Sequence, residues 1–351
     1  MGKIKVMNEI LANQIAAGEV VEKCMNVVKE LVENSIDAKS DEIRIDLEDS
    51  GVKMIRVQDN GVGMDREDAM LAFCRHATSK LLSEDDLFHI ESLGFRGEAL
   101  PSIASVSNLA LKTCNKEEGW EVIVNAGVVD EVKPADLHPG TTITVRNLFY
   151  NTPVRLKYLK NLYTELSYTL DYVNKMALSY PNIRFTLTNN DKVLLQTDGS
   201  GNLLKVIHSI YGLAIAKKMI AIEGENDDYA VHGYISYPEV VKGTRNSITT
   251  LVNGRIIRNN ELNKTIVDTY HTYIAADKYP IIVLAIEVDP SLIDINIHPT
   301  KMDIKFSKIE SLKELVRSLI QEQLTKLTLI PEIKTEEIFT KEEENRLFES
   351  Y

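Results

Sequence analysis

Between Lys29 and Ala38 the chain reads KELVENSIDA. In helical register Glu30, Glu33, Asn34 and Asp37 fall at i, i+3, i+4 and i+7, which is one face. Val27, Val28, Leu31, Val32 and Ile36 occupy the rest of the cylinder. The polar face reads as a carboxylate row with a single amide and no lysine. Oxygens aligned this way repel one another unless a cation, a water or a ligand sits between them. That chemistry suits a hard metal, with Asn34 as an oxygen ligand to Mg²⁺ and Glu30 as a candidate general base. A solvated helix face has the same spacing, so the neighbouring segments must decide.

Residues 42–48 alternate, with Ile43, Ile45 and Leu47 on one side and Arg44, Asp46 and Glu48 on the other, the pattern of a strand. A Ser50-Gly51 turn leads to a second short strand that ends in Asp59-Asn60-Gly61-Val62-Gly63-Met64. Two glycines after an acid let backbone approach a planar ligand, while the Asp59 carboxylate accepts from an amino group such as that of adenine. Further on, Thr78-Ser79-Lys80 precede Gly94-Phe95-Arg96-Gly97-Glu98-Ala99-Leu100. A glycine loop opening a helix at Glu98 to Val106 presents free N–H groups to phosphate oxygens, and Arg96 adds a charged donor. The glycines lack the P-loop spacing, so a different nucleotide fold is expected.

Seven blocks now stand in order: NQIAAGEVVE (13–22), KELVENSIDA, DNGVGM, RHATSK (75–80), LGFRGEALPSIASV (93–106), GTTITVRNLFYNTPVRLKYL (140–159) and HPTK (298–301). Together they resemble the N-terminal ATPase region of the MutL family of DNA mismatch-repair proteins. That region has the GHKL ATP-binding fold shared with gyrase B, the heat-shock ATPase chaperones and the histidine kinases. The resemblance runs from about residue 5 to residue 306; Cys24-Met25-Asn26 departs from it just before the acidic helix. It implies an α+β chain with a GHKL-type α/β sandwich, followed by a smaller α/β domain resembling the ribosomal-protein second-domain-like fold. It also implies a slow Mg²⁺-dependent ATPase whose γ-phosphate acts as a switch. Glu30 orients and deprotonates the attacking water, Asn34 carries Mg²⁺, and Asp59 reads adenine. Gly61, Gly63, Thr78, Ser79, Lys80, Gly94 to Leu100 and Thr142 enclose the nucleotide, and Lys301 reaches the γ-phosphate. Asp37 and Glu33 read equally well as structural acceptors or as functional groups.

Composition agrees. A length of 351 residues suits two domains. The expected division is an ATP-binding domain at 1–205 with its lid at about 75–105, a second domain at 206–330 and an acidic linker-like tail at 331–351. No apolar run is long enough for a membrane span, and the first residues carry no signal-peptide pattern. Cys24, Cys74 and Cys114 have no metal spacing and fit a reduced, cytoplasmic setting, with nucleoid association during repair implied by the resemblance. A net charge of −12 argues against a general nucleic-acid binder. Arg245, Arg255, Arg258 and Lys264, with Lys242 nearby, are the candidate DNA surface. A solvated hairpin is the rival reading.

The coarse element reading places helices at 8–17, 22–37, 154–179, 261–275 and 308–327. Strands are read near 42–48, 53–58, 108–113, 120–129, 141–147, 229–237, 246–258 and 280–288, with a hairpin at 183–197. Val252-Asn253-Gly254-Arg255 predicts a type I′ turn. The resemblance further implies an ATP-dependent homodimer that encloses DNA weakly, a MutS-type mismatch sensor and a downstream nuclease or helicase as partners. No nuclease motif follows residue 306, so nicking is not expected of this chain, and its acidic ending suggests a cut at a linker. Other GHKL enzymes, or a nucleotide-binding module without turnover, are the alternatives.

Overall fold

The structure, a computed structural model, describes residues 17–18, 20–79, 97–136, 138–159, 161–294 and 304–329. Two compact units emerge. One runs to Lys217 and takes in Gly254–Ile256; the other begins at Lys218 and holds the rest.

The first unit is built on eight strands: β1 (Glu42–Glu48), β2 (Met54–Asp59), β3 (Asn108–Cys114), β4 (Gly119–Asn125), β5 (Val128–Pro134), β6 (Gly140–Arg146), β7 (Arg184–Asn189) and β8 (Lys192–Gln196). Their order is β5-β4-β3-β6-β2-β1-β7-β8. Every neighbouring pair is antiparallel except β1 with β7. Helices α1 (Cys24–Asp37), α2 (Arg66–Leu71), α3 (Ala99–Ser105), α4 (Pro153–Tyr158), α5 (Leu162–Ser179), α6 (Leu203–Tyr211) and α7 (Leu213–Ala216) complete it. Helix α1 packs on β1 and β2, with α5 beside it.

Register explains which side chains meet. Ile55 pairs with Val145, Val57 with Ile143 and Asp59 with Thr141, so these share one face. Val27, Val28, Leu31 and Val32 of α1 are buried, as are Ile55, Val57, Ile143 and Val145. Arg56, Gln58, Thr142 and Thr144 point to the other face, together with Asp46, which pairs with Arg56. Burying one face and wetting the other is what the alternating sequence demands.

Two expectations change here. The single strand at 120–129 is a hairpin, because Ala126 (φ 50°) and Gly127 (φ 86°) turn the chain into β5. The long helix at 154–179 is two helices, and Asn161 starts the second by accepting from the Thr164 N–H at 2.9 Å.

Beyond Lys217 come strands β9 (Met219–Glu225), β10 (Tyr229–Ser236), β11 (Val241–Lys242), β12 (Ile248–Val252), β13 (Arg255–Ile257), β14 (Tyr279–Pro280) and β15 (Ile282–Val288). Five of them form a sheet in the order β13-β12-β15-β10-β9, with β12 and β15 parallel. Ile266 and Tyr270 of α8 (Asn260–Tyr270) and Leu312, Val316, Ile320 and Leu324 of α9 (Ile309–Leu329) fill its core. Asn253 (φ 47°) and Gly254 (φ 78°) adopt the predicted left-handed turn. Among the described residues no helix is long and apolar enough to cross a membrane.

Candidate active site

Helix α1 begins cleanly despite the unusual Cys24-Met25-Asn26. The Asn26 Oδ1 reaches back to the Lys23 N–H at 2.9 Å, satisfying one of the donors a helix start leaves open. Cys24 is buried and its thiol is pushed up to about 12, by burial first and then by Glu165, so it is an inert core residue.

Glu30, Glu33, Asn34 and Asp37 are all partly exposed along one side of the helix. The expected absence of lysine from this row is corrected by the structure. The Lys29 Nζ lies 3.2 Å from Glu30 Oε1 and 3.6 Å from Glu33 Oε2. The Glu33 contact is the pairing that i,i+4 spacing offers, whereas the Glu30 contact is hidden from spacing, since i and i+1 do not share a face and the long side chain must fold back to make it. Burial opposes the Lys29 charge, yet Glu33 and Glu30 outweigh it and hold the ammonium above its ordinary pKa. The repulsion expected along the row is therefore relieved in part from within the protein.

Asp59 ends β2 where three motifs converge. Its Oδ1 accepts from the Gly61 N–H at 2.9 Å and the Thr141 N–H at 3.2 Å, and its Oδ2 accepts from the Ser35 hydroxyl of α1 at 2.8 Å. Burial raises its pKa, and these hydrogen bonds counter only part of that rise. The result is a half-buried acceptor held in place by neutral donors.

Gly61 and Gly63 are required by the protein itself. A Cβ on Gly61 would meet the Ala38 carbonyl oxygen at 2.7 Å, and one on Gly63 (φ +69°) would meet that of Cys114 at 1.9 Å. The Val62 N–H donates to the Ala38 carbonyl at 3.0 Å, so the loop also caps the end of α1. Asn60 Oδ1 accepts from the Asp41 and Glu42 N–H groups at 3.1 and 3.0 Å. The helix and the loop are thus one unit of backbone.

Thr142 is not brought to Asp59. It pairs with Gln58 and so occupies the opposite face, as strand parity requires. Thr141 is the residue on the Asp59 side, and its Oγ1 lies 3.0 Å from that of Thr113. The Thr113 Oγ1 in turn accepts from the Met64 N–H at 2.9 Å. The tandem threonines gave no sign of which mattered; counting alternation back from the buried Val145 and Ile143 would have.

His76 and Ala77, just before Thr78 and Ser79, lie against the residues that lead into α3. A Cβ on Gly97 (φ +59°) would strike the Ala77 carbonyl at 2.4 Å, and the His76 Nδ1 is 3.6 Å from Glu98 Oε1. Glu98 directly precedes α3, which Ala99 and Leu100 open. Lys80, Gly94, Phe95, Arg96 and Lys301 lie outside the described residues. So does the helix read at 8–17, except for Ala17.

In the second unit, the Arg245 guanidinium lies over the Tyr279 ring at 5.5 Å and donates to its hydroxyl at 3.3 Å. Lys242 pairs with the same tyrosine across β11 and β14. Arg258 and Lys264 are exposed, and Arg255 is half-buried. Among the described residues no group of three or more histidines, cysteines or acids can hold a metal.

Comparison with known proteins agrees with this geometry. Residues 22–148 match the family described as histidine kinase-, DNA gyrase B- and HSP90-like ATPase. Residues 207–325 match the DNA mismatch repair protein, C-terminal domain. The DNA mismatch repair protein MutL of Staphylococcus carnosus is 49% identical over 99% of this chain and 54% of its own length. That of Anoxybacillus flavithermus is 50% identical over 99% of this chain and 57% of its own. This chain therefore spans about half the length of the curated relatives it matches. The Aquifex aeolicus MutL ATPase domain complexed with ADP superposes with a TM-score of 0.63 at 27% identity, covering 86% of this chain and 98% of that one. A crystal structure of the N-terminal domain of a DNA repair protein gives 0.76 at 25% identity, covering 91% and 99%. With the nucleotide-fold sheet, the acidic helix and the Asp59 loop in place, the chain belongs to the MutL family of DNA mismatch repair proteins and corresponds to its N-terminal, GHKL-type ATPase region.

Proposed function

We propose that this region binds ATP at the junction of α1 and the Asp59 loop and hydrolyses it slowly, as the switch of a mismatch-repair protein. One observation carries the reading: Asp59 is a half-buried carboxylate whose pKa is raised and which is held by the neutral donors Gly61, Thr141 and Ser35. The adenine amino group is such a donor, and the ADP bound by the Aquifex aeolicus ATPase domain supports a nucleotide here. Asn34, one turn beyond Glu30, would offer its side-chain oxygen to Mg²⁺. No group of acids, histidines and cysteines among the described residues could hold a metal by itself, so phosphate oxygens and water would supply the remaining ligands. When bound, Mg²⁺ neutralises charge on the triphosphate.

Glu30 accepts the proton of the attacking water as the bond between the γ-phosphorus and the bridging oxygen breaks. General-base help of this kind is worth ~10²–10⁴-fold. Ser79, Thr78, Lys80 and the Gly94–Leu100 segment enclose the phosphates, and Lys301 reaches the γ-phosphate. Closure then favours an N-terminal homodimer around DNA, whose backbone meets Arg245, Arg255, Arg258 and Lys264 weakly and without sequence preference. A MutS-type sensor and a downstream nuclease or helicase act on either side of this switch.

Glu30→Ala tests the core of the proposal. It should retain nucleotide while steady-state hydrolysis falls ~10²–10⁴-fold; unchanged turnover removes Glu30 from the base role. Size-exclusion chromatography with a non-hydrolysable ATP analogue tests the rest. A monomer at saturating analogue refutes the dimer switch.

A further inference from the structure

Lys29 belongs to none of the roles assigned so far, yet it is the cation in contact with the proposed base. Its Nζ donates to Glu30 Oε1 at 3.2 Å and lies 3.6 Å from Glu33 Oε2. On the neighbouring helix α5, the Tyr172 hydroxyl stands 3.5 Å from Glu33 Oε1 and 3.4 Å from the Lys29 carbonyl oxygen. All these groups are sheltered: the side chains of Lys29, Glu30 and Glu33 are 32%, 22% and 13% exposed. We propose that Lys29, anchored by Glu33 and Tyr172, is a positioning residue that fixes the Glu30 carboxylate for proton transfer. The inference rests on the reading of Glu30 as general base.

Helix stabilisation is a poor alternative account of this arrangement. An i,i+4 pair helps a helix most when the acid precedes the base, and Lys29 precedes Glu33. Nor does stabilisation need the contact to Glu30, which an adjacent residue makes only by folding its side chain back along the helix. The geometry instead divides the labour between the two Glu30 oxygens. Oε1 is tied to the ammonium, which leaves Oε2 to take the proton in a fixed direction. Glu33 keeps the ammonium from swinging into solvent, and Tyr172 fixes Glu33 in turn. Burial and the two glutamates raise the Tyr172 pKa well above the ordinary tyrosine value, so its hydroxyl remains a donor. The role of Glu33 that spacing left open is then that of an anchor.

Steady-state ATPase and nucleotide affinity of four single variants and one double variant decide the matter, with Glu30→Ala as reference. Lys29→Met should lower kcat roughly 10–100-fold, the scale of a misplaced catalytic group, with ATP affinity unchanged. Lys29→Arg, which keeps the charge, should recover most of that loss. Glu33→Gln should lower kcat less, and combined with Lys29→Met it should add nothing, since both act on one contact. Tyr172→Phe removes only a hydroxyl, so it keeps the test alive should Lys29→Met fail to fold; it should lower kcat in the same sense. Lys29→Met turning over at the unaltered rate, while Glu30→Ala is inactive, overturns the positioning role and leaves the base intact. Loss of affinity in step with kcat overturns it as well. Full activity of Glu30→Ala defeats the base assignment itself, and the inference falls with it.

Discussion

Asp46 and Asp59 stand on adjacent strands, β1 and β2, and face opposite sides of the same sheet. Asp46 is buried among cations: Arg44 Nε and Arg56 Nη2 approach it at 3.0 and 2.7 Å, and the Thr188 hydroxyl donates at 2.7 Å. Burial raises its pKa, but these donors overcome that and hold it below the ordinary carboxylate range. Asp59 is held by two backbone N–H groups and a serine hydroxyl, and burial wins. A carboxylate finished by guanidinium groups is a structural rivet. One held by neutral donors alone stays receptive to a further donor.

Asn substitution at the two positions should break this comparison if it is wrong. For Asp59→Asn, ATP affinity should fall about 10–100-fold, the worth of roughly 1.5–3 kcal/mol for a bond to a charged group; a titration showing unaltered affinity refutes the adenine assignment. Without nucleotide the same variant should be no less stable. The amide oxygen can still accept from Gly61 and Thr141, and its NH₂ can donate to the Ser35 hydroxyl, which turns to the Leu31 carbonyl 3.1 Å away. Asp46→Asn should bind nucleotide normally but lose about 1–2 kcal/mol of stability, below the fully buried case because its guanidinium partners are 49% and 42% exposed. Denaturant titration separates the two; equal losses would erase the distinction.

Acid sharpens it further. The folded pKa of Asp46 is depressed, so its stabilisation is present above the ordinary aspartate value and lost as pH falls through the lower folded one. Asp59 has the opposite sign: its raised pKa favours the protonated form, and stability declines as pH climbs from the ordinary value through the folded one. Thermal melts against pH should therefore show the Asp46→Asn deficit vanishing in acid. Any gain from Asp59→Asn should appear only above the ordinary aspartate range. The smallest effect concerns the tandem threonines. Thr141→Val should cost about 1 kcal/mol through the lost contact with Thr113. Thr142→Val, on the solvated face, should stay within about 0.5 kcal/mol. Chemical denaturation of both reveals whether strand parity was assigned correctly.

Much of this was legible in the chain because periodicity reports faces. The run VVKELVENSIDA declared its apolar side through Val27, Val28, Leu31 and Val32, and Asn253-Gly254 declared its turn through left-handed dihedrals. What stayed hidden depends on reach, parity and local breaks. The pairing of Lys29 with Glu33 was legible at i,i+4; only its reach to Glu30 was hidden, because side-chain length crosses the face boundary that spacing defines. Thr142 was preferred to Thr141 because adjacent identical residues carry no phase of their own. Gly61 and Gly63 were read as room for a ligand, whereas their missing Cβ atoms accommodate the carbonyls of Ala38 and Cys114. The break between α4 and α5 and the turn into β5 rest on Asn161 and on the pair Ala126-Gly127, too brief to disturb a pattern read over longer windows. Helix α6 and strand β9 went unread entirely.

The one parallel pairing of the first sheet governs when this site can exist at all. Strand β1 needs β7 beside it, and the bond from Thr188 to Asp46 spans 142 residues. Closing so large a loop is entropically slow and cannot begin on the ribosome until residues 184–189 have emerged. Until then β1 is an unprotected sheet edge beneath α1. A nascent chain halted before β7 should accordingly be a chaperone client and sensitive to protease, even though every residue from Glu30 to Thr141 has already been synthesised.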